Sequence, residues 1–536
     1  MNTVFDLKKL EALEIDSAFI NALPGDPVSE NYTRQVPGAC YSHVTPESFP
    51  DASLIAYSRE MAEELGLDPD DCEKPLFTQV FSGTELLDSM RPYACCYGGH
   101  QFGNWAGQLG DGRAINLGEL RAPDGNAWTL QLKGAGPTPY SRSADGLAVL
   151  RSSVREFLCS EAMHHLGVPT TRALSLIGTG ESVVRDMFYD GHPKKEPGAV
   201  VCRVAPSFIR FGSFEIFAAR KELAIQKELA DYTISRNFPH LLKSNESAPD
   251  KSVYLAWFRE VCQLTATMII HWMRVGFVHG VMNTDNMSVM GLTIDYGPYG
   301  WLENYDPEWT PNTTDAEGRR YRFGNQPMIA LWNLVQFANA IYPLVEEVEP
   351  LEQILEEYKA SYEKGWLDMM RAKLGFTNTT AKDEALVLDL IKAFNLAETD
   401  MTLFFRHLAD IPASTDSATA LKIISPAFYN PELSDTARDG FSLWLTRYRE
   451  RLQQEQSKDK ERKLAMNQVN PLYVLRNYLA QLAIDKSEQG DHSAINELLA
   501  VLRTPYDYQE GKDHLAEKRP EWARTKAGCS MLSCSS

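Results

Sequence analysis

Residues 279–297, HGVMNTDNMSVMGLTIDYG, carry the side chains best suited to metal-assisted chemistry. The amide oxygen of Asn286 and the carboxylate of Asp295 are hard ligands that suit Mg²⁺ bound beside nucleotide phosphates. A short hairpin between the two residues would bring them together. The sequence therefore predicts Asn286 and Asp295 as metal ligands. The alternative is that Asn283, Asp285 and Asn286 form only a polar turn.

The same segment follows the protein-kinase pattern except at one position. Kinases carry H-R-D-x-x-x-x-N and then a metal-binding D-F-G. Asn286 follows His279 by seven residues, as in that pattern, and residues 295–297 read Asp-Tyr-Gly. Val281 occupies the place of the catalytic aspartate. The nearest replacement carboxylate is Asp285, while His279 is expected to support the loop rather than act as a base.

A glycine-rich segment, YGGHQFGNWAGQLGDGR (97–113), precedes a predicted strand that ends at Lys133. Glycine lets a backbone approach a ligand closely and point amides at phosphate oxygens, and a strand lysine could reach the same phosphates. The segment is not a Walker A loop, because no G-K-[ST] closes it. Gly110 and Gly112 have the spacing of G-x-G-x-x-G, but Ile115 holds the third position. A loop without a ligand is the alternative.

Glu156 has two interpretations. In the first it closes a capping box with Ser153, at the start of a helix that ends at Gly167. In the second it holds the Lys133 ammonium toward phosphate, as a helix glutamate does in protein kinases. The order of glycine loop, strand lysine and helix glutamate favours the ion pair.

Three arginines add positive charge to this part of the chain. Arg113 ends the glycine-rich segment, and Arg203 and Arg210 lie in RVAPSFIRFG. Guanidinium groups bind phosphate in a bidentate manner and stay charged when desolvated. With Lys133 they would give a triphosphate more cationic contacts than a kinase lysine alone. For any one of them, a surface ion pair is the alternative.

Periodicity predicts the elements that position these residues. Short helices and Pro-rich turns are expected to about residue 90, and strand-like segments with one helix follow. Helical patterns dominate from about residue 215, with loops at 243–251 and 296–326. The predicted fold class is α+β, in two lobes: a β-rich N-lobe and a helical C-lobe with a helical C-terminal extension. Together with the kinase-pattern motifs, this layout favours a protein-kinase-like fold. We predict four units: an N-terminal extension packed on the N-lobe (1–90), the N-lobe (91–212), the C-lobe (213–430) and a C-terminal extension with a cysteine-containing tail (431–536).

Composition excludes several classes of protein. The 536 residues carry a net charge of −19, which argues against nucleic-acid and anionic-membrane binding because phosphate contacts need clustered cations. No apolar run approaches the ~20 residues of a membrane span. Nine cysteines without a CxxC argue against structural zinc. The N-terminus lacks a secretory or transit pattern, so we expect a cytoplasmic protein, with a mitochondrial location as the alternative. We also expect a monomer.

Long motifs in the chain closely resemble those of the selenoprotein O (SelO, YdiU) family. They are YGGHQFGNWAGQLGDGR, LQLKGAGPTPYSRSADGLAVLRSSVREFL, HGVMNTDNMS, IDYGP and the terminal SCSS. The likeness extends from about residue 20 to the C-terminus. It implies a kinase-like fold that binds ATP in a flipped orientation, with Mg²⁺ or Mn²⁺, and transfers AMP to Ser, Thr or Tyr hydroxyls of protein substrates.

The resemblance also implies roles for individual residues. Asp285 corresponds to the proton acceptor, Asn286 and Asp295 to the metal ligands, and Lys133 and Glu156 to the ion pair. The residues implied in nucleotide binding are Gly110, Gly112, Arg113, Lys133, Asp145, Gly146, Arg203, Arg210 and Asp295. In this arrangement Arg203 and Arg210 hold the inward-facing phosphates, and the α-phosphorus faces the open cleft.

Cysteines near the C-terminus suggest redox regulation through the same resemblance. Cys534 matches the position of selenocysteine in some members, so this chain has the sulfur form. Some bacterial relatives carry a partner cysteine just after the D-Y-G-P motif, where this chain has Tyr299. Cys529 is the remaining candidate partner. The alternative is two independent thiols.

Four other functions stay open from the sequence. The chain could transfer UMP from UTP with manganese, or the γ-phosphoryl group as an ordinary kinase with Asp285 as the base. It could instead be a non-catalytic nucleotide-binding scaffold, which the intact metal-ligand set disfavours. A thiol oxidoreductase centred on Cys534 would leave most of the chain unexplained.

Overall fold

An antiparallel sheet organises the N-terminal part of the chain, of which the computed structural model describes residues 7–187, 190–242, 249–455 and 457–533. The strands of the described residues are β1 (Ile15–Asp16), β2 (Tyr41–His43), β3 (Ser53–Tyr57), β4 (Tyr93–Cys95), β5 (Gly98–Gln101), β6 (Asn104–Gln108), β7 (Ala114–Arg121), β8 (Ala127–Lys133), β9 (Arg172–Arg185), β10 (Lys194–Ala205), β11 (Phe277–Val278) and β12 (Gly300–Trp301). Eight of them form one sheet in the order β2-β4-β7-β8-β10-β9-β3, with β1 paired to β7. Strands β5 and β6 form a separate hairpin, and β11 pairs with β12.

Strands β7 and β8 lie side by side in the sheet, and β8 is the predicted strand that ends at Lys133. Ala114 pairs with Lys133 and Arg121 with Ala127, across the turn at 123–125. Because side chains alternate along a strand, one face of β8 packs into the hydrophobic core and the other carries polar groups. Gln131 and Lys133 lie on this polar face, where both contact charged residues of neighbouring elements.

Helices dominate the chain beyond residue 210, as the periodicity predicts. The helices of the described residues are α1 (Ala18–Ala22), α2 (Arg59–Glu64), α3 (Pro75–Ser82), α4 (Leu150–His165), α5 (Phe211–Arg220), α6 (Leu223–Asn237), α7 (Lys251–Val275), α8 (Gln326–Val345), α9 (Glu349–Leu374), α10 (Asp383–Phe394), α11 (Met401–Leu408), α12 (Ser417–Ile424), α13 (Asp435–Leu452), α14 (Asp459–Val469), α15 (Asn477–Ser487) and α16 (Ser493–Leu502). Helix α7 is closed by Gly276, which adopts a left-handed conformation.

Helix α4 begins at Leu150, and the predicted capping box at Ser153 is therefore wrong. Ser153 lies inside the helix and its hydroxyl donates to the Ala199 carbonyl. The reason is tertiary: Val149 forms an antiparallel bridge with Gly198, and this pairing with β10 sets the helix start. Glu156 lies inside the helix and therefore does not cap its start.

Two hydrophobic clusters stabilise the described chain. The larger joins the sheet to α4, α5, α7, α8, α15 and α16, and the smaller lies among α9 to α14. Each fully buried Leu or Phe contributes about 1.5–3 kcal/mol. The protein is thus a mixed α/β structure with an antiparallel sheet and many helices. The division into kinase-like lobes and the four domain boundaries stay predictions.

The segment 296–326, predicted as a loop, is largely irregular and packs against the rest of the protein. Its aromatic side chains Tyr296, Tyr299, Trp301 and Tyr321 are buried, because they stack on one another and on neighbouring rings. The predicted loop is therefore confirmed as largely irregular backbone. Most of the other predicted loop, at 243–251, lies outside the described residues.

The C-terminal residues lie against the rest of the protein. Helices α15 and α16 pack on α4. Farther along, the Leu532 carbonyl accepts a hydrogen bond from the Thr313 amide at 2.7 Å, and the Leu532 amide donates to the Pro311 carbonyl at 2.9 Å. These contacts attach the C-terminal segment to the loop that follows the predicted catalytic segment.

One helical stretch of the described residues, Phe323–Val345, has the length and mean hydropathy (1.4) of a membrane span, although the sequence analysis predicts none. Half of the apolar 18-residue window within this stretch is buried in the protein. Helix α8, which contains most of the stretch, packs against α5, α7 and α9. A core helix of this length passes the same test.

Candidate nucleotide site

A cleft of about 700 Å³ opens between the end of β8 and the segment 279–297. Most of the predicted site residues line it: Gly110, Gly112, Arg113, Lys133, Asp145, Gly146, Arg203, Asp285, Asn286 and Asp295. Glu156 and Arg210 lie behind its wall, and Cys529 lies elsewhere. Residues that are up to 185 positions apart in the sequence therefore meet in one cavity.

The predicted glycine-rich loop is two structures. Residues 98–108 form the β5–β6 hairpin, and only 109–113 make a tight turn along the cleft. Gly110 has a φ of +82°, and a side chain at this position would collide with the Tyr140 ring. The turn is held by the Thr138 hydroxyl, which donates to the Asp111 carbonyl at 2.7 Å. Its backbone thus approaches the cleft closely, as phosphate binding requires.

Lys133 and Glu156 form an ion pair beside the cleft. Lys133 Nζ lies 2.5 Å from Glu156 Oε2, and Arg203 Nη1 lies 3.1 Å from Glu156 Oε1. Arg203 stands opposite Gln131 in the β8–β10 register and donates to the Gln131 side-chain oxygen. Burial lowers the pKa of Lys133, although Glu156 opposes this change. Glu156 therefore orients two cations toward the cleft.

Asp295 is the centre of the charge network. Arg203 contacts its Oδ1, Arg210 Nη1 lies 2.5 Å from its Oδ2, and Lys133 Nζ lies 3.8 Å from Oδ1. Burial alone would raise the pKa of Asp295, but Arg203, Arg210 and Lys133 hold it well below its ordinary value. Asp295 also adopts a left-handed φ of +55°, which is uncommon for a residue with a side chain. The network fixes an ionised carboxylate at the cleft.

Arg210, predicted to hold phosphate, lies behind the wall of the cleft. Its side chain is only 1% exposed, stacks on the Tyr97 ring at 4.5 Å and donates to the Asp285 carbonyl at 2.9 Å. Asp295 is its ion-pair partner, and Asp111 Oδ1 lies 4.0 Å from its Nη2. Its contact with phosphate stays a prediction.

Asp285 lies in a single helical turn, Thr284–Asn286, at the cleft wall. Its Oδ2 accepts a hydrogen bond from Gln101 Nε2 at 3.2 Å, and its buried Oδ1 has no hydrogen-bond partner among the described residues. Burial raises the pKa of Asp285 to about 7, although Gln101 and Arg210 oppose this. A carboxylate with such a pKa is suited to accept a proton near neutral pH.

Asn286 and Asp295 suit a hard divalent cation. Asn286 donates its amide Nδ2 to the Val281 carbonyl at 2.9 Å, which leaves its oxygen for a ligand. An antiparallel bridge between Met287 and Thr293 closes the predicted hairpin between the two residues. No group of three or more His, Cys, Asp or Glu among the described residues could hold a metal by itself. The donor set therefore fits Mg²⁺ or Mn²⁺ that completes its coordination with phosphate oxygens and water.

The outer part of the cleft contains residues that sequence reasoning missed. Asp145, a predicted nucleotide contact, forms a bidentate pair with Arg185 at 2.7 Å, and Arg185 lines the cleft. Arg142 also lines it, with a left-handed φ of +55°. No described residue forms a hydrogen bond or ion pair with the side chains of Arg142 or Arg113. Both guanidinium groups are available to an anion, and nothing in the local sequence distinguishes Arg142 from a surface arginine.

The predicted redox pair is only partly described. Cys529 is buried, and burial raises its pKa to about 11, so its thiol is protonated and unreactive in this conformation. Cys534 lies outside the described residues. A disulfide between Cys529 and Cys534 stays a prediction.

Comparisons with known proteins identify the family of the chain. A sequence model of the family described as protein adenylyltransferase SelO matches residues 29–503. A protein nucleotidyltransferase YdiU from Rhodopirellula baltica is 57% identical, with 98% of this chain and 99% of the relative covered. Relatives with the same name from Aromatoleum aromaticum and an Azoarcus species are also 57% identical, over 98% of this chain and their full length. The chain belongs to the SelO family of nucleotidyltransferases.

Proposed function

We propose that the protein transfers AMP from ATP to Ser, Thr or Tyr hydroxyls of protein substrates. The names of the family and of the relatives support nucleotide transfer to protein. The single observation that carries the proposal is the cluster of Lys133, Arg203 and Arg210 at the inner end of a cleft whose wall presents Asp285. Such a cluster is suited to a highly charged leaving group.

The chemistry follows from this arrangement. The acceptor oxygen attacks the α-phosphorus, its proton passes to the Asp285 carboxylate, and the bond to the β,γ-pyrophosphate breaks. Lys133 and Arg203 neutralise the pyrophosphate, and Arg113 lies free at the cleft to contact the phosphates. Asn286 and Asp295 would hold a Mg²⁺ or Mn²⁺ ion, which supplies further neutralisation of phosphate charge.

The position of the base favours nucleotidyl over γ-phosphoryl transfer. Val281 lines the cleft at the place where kinases carry the aspartate that accepts a substrate proton. The carboxylate is displaced to Asp285, four residues onward and beneath the β5–β6 hairpin. With the cations on the inner side, the terminal phosphates would point inward and the α-phosphorus would face the opening.

Other attributes remain part of this proposal. We propose ATP as co-substrate, a cytoplasmic protein, a monomer, and no nucleic-acid or membrane partner. The relatives' name, nucleotidyltransferase, covers UMP transfer as well as AMP transfer. UTP with Mn²⁺ is therefore included in the test.

The test is intact-mass spectrometry of the protein after incubation with ATP and Mg²⁺, and in parallel with UTP and Mn²⁺. The proposal predicts an added AMP on a hydroxyl side chain, identified by peptide fragmentation, and its absence in Asp295→Ala. An added phosphate would indicate a kinase. An adduct only with UTP would replace AMP by UMP in the proposal.

A further inference from the structure

The β5–β6 hairpin contacts the segment that carries the proposed base through consecutive residues. The His100 amide donates to Thr284 Oγ1 at 2.7 Å, and Gln101 Nε2 donates to Asp285 Oδ2 at 3.2 Å. The Phe102 amide donates to Asn283 Oδ1 at 3.2 Å. Three neighbouring hairpin residues therefore hold three neighbouring residues of the segment. The prediction of a glycine-rich phosphate loop did not include these contacts.

Two of these three residues have further support. Thr284 Oγ1 donates to Glu215 Oε2 at 2.5 Å, and the other Glu215 oxygen lies 3.0 Å from His100 Nδ1. Asn283 Oδ1 also accepts a hydrogen bond from the Tyr321 hydroxyl at 2.5 Å. The backbone around the base is thus fixed without any contribution from Gln101.

The Asp285 carboxylate itself depends on Gln101. Among the described residues, Gln101 is the only side chain that donates to it. The other oxygen, Oδ1, packs beneath Gly99, where a Cβ would lie 3.0 Å from it. Arg210 donates to the backbone carbonyl of Asp285 and not to its carboxylate. Without the Gln101 hydrogen bond, no other side chain in the described part of the protein would hold Oδ2 and fix the rotation of the carboxylate.

We propose that Gln101 is a positioning residue, whose amide fixes the orientation of the Asp285 carboxylate toward the acceptor hydroxyl. This inference rests on the proposed function, in which Asp285 accepts the proton. General-base catalysis depends on such orientation, because the proton must pass along a hydrogen bond to one oxygen. The hairpin thus contributes to catalysis through Asp285 and not through the phosphates.

The test uses Gln101→Met, which keeps the side-chain length and removes the donor. Asn104→Ala, at the exposed start of β6, is the matched control on the same hairpin. We expect the kcat of Gln101→Met to fall by about 10- to 100-fold, the effect of losing a hydrogen bond to a charged group. The KM for ATP and the unfolding temperature should stay unchanged, and Asn104→Ala should match the wild type.

A double variant separates positioning from direct contact. In an Asp285→Ala background, Gln101→Met should cause no further loss, because residues that act as a unit are not additive. Gln101→Glu places an acceptor against the carboxylate and should lower kcat more than Gln101→Met. This second variant also keeps the test valid if Gln101→Met folds poorly.

Several outcomes would overturn the inference. An unchanged kcat in Gln101→Met would show that the hydrogen bond is dispensable. A parallel rise of the KM for ATP, or a further loss in the Asp285→Ala background, would show that Gln101 contacts a substrate. Full turnover of Asp285→Ala alone would instead refute the proposed base, whatever Gln101 does.

Discussion

Replacing Asp285 by Asn should stabilise the ligand-free protein above neutral pH. Burial raises the pKa of this carboxyl from 3.8 to about 7, so the folded protein keeps a proton that the unfolded chain loses between these two values. Stability therefore falls as the pH rises through this window. The full penalty, reached above pH 7, is about 4 kcal/mol. An Asn side chain cannot ionise, so the variant does not carry this penalty.

The assay is thermal unfolding of the two proteins at pH 5.5 and pH 8. With an unfolding entropy of about 2.1 cal/mol/K per residue, ~4 kcal/mol corresponds to a rise in Tm of roughly 3 to 4 °C for a chain of this length. At pH 5.5 only about half of the penalty has accumulated, so the rise should also be about half as large.

Asp295, the other carboxylate at the cleft, provides a matched comparison, because its replacement by Asn should change the Tm in the opposite direction. Arg203, Arg210 and Lys133 hold the pKa of Asp295 well below its ordinary value. Its ionised form therefore stabilises the fold above the ordinary Asp pKa, and Asp295→Asn should lower the Tm at pH 8. The reasoning is refuted if Asp285→Asn lowers the Tm at pH 8, or if its effect is equal at the two pH values.

Three further predictions follow from the contacts. Glu156→Gln leaves two buried cations undercompensated and should lower the free energy of unfolding by about 3–5 kcal/mol in a denaturant titration; a change below ~1 kcal/mol would contradict the buried network. Asp295→Ala should abolish metal-dependent transfer, measured as turnover against Mg²⁺ concentration, and unchanged turnover would remove it from the site. Cys529 should resist alkylation by iodoacetamide in the folded protein at pH 8 and react after unfolding; rapid labelling of the folded protein, located by peptide mapping, would contradict its burial.

The sequence predicts parts of the site whose geometry depends on local periodicity. The two-residue alternation of β8 places Gln131 and Lys133 on one face, as observed. His279 and Asn286, seven residues apart, belong to one largely buried segment of the structure. The His279 ring stacks on the Trp272 ring in this segment. These features need no knowledge of distant residues.

Other features depend on contacts that local patterns do not contain. The start of α4 is set by the bridge between Val149 and Gly198, which a capping pattern at Ser153 cannot reveal. The glycines of 98–108 suggest a phosphate loop, whereas they lie in a hairpin in which Gly99 permits close packing on Asp285 and Thr284. Arg142 reaches the cleft through a left-handed backbone conformation that no sequence signal marks.

The burial of charge is the least predictable property from sequence. Arg210 fits a phosphate contact by its residue type, but its register at the start of α5 places it between Asp295 and the Tyr97 ring. The structure therefore relates it first to the orientation of Asp295.

The most direct test of the account is incubation of the protein with Mg²⁺ and ATP labelled separately at the α- or the γ-phosphate, with Asp285→Ala in parallel. Transfer of the α label to protein, lost in Asp285→Ala, is the predicted result. Transfer of the γ label alone would make the protein a kinase and contradict the assignment of the cationic cluster to the leaving pyrophosphate. Full α-label transfer by Asp285→Ala would contradict the assignment of the base.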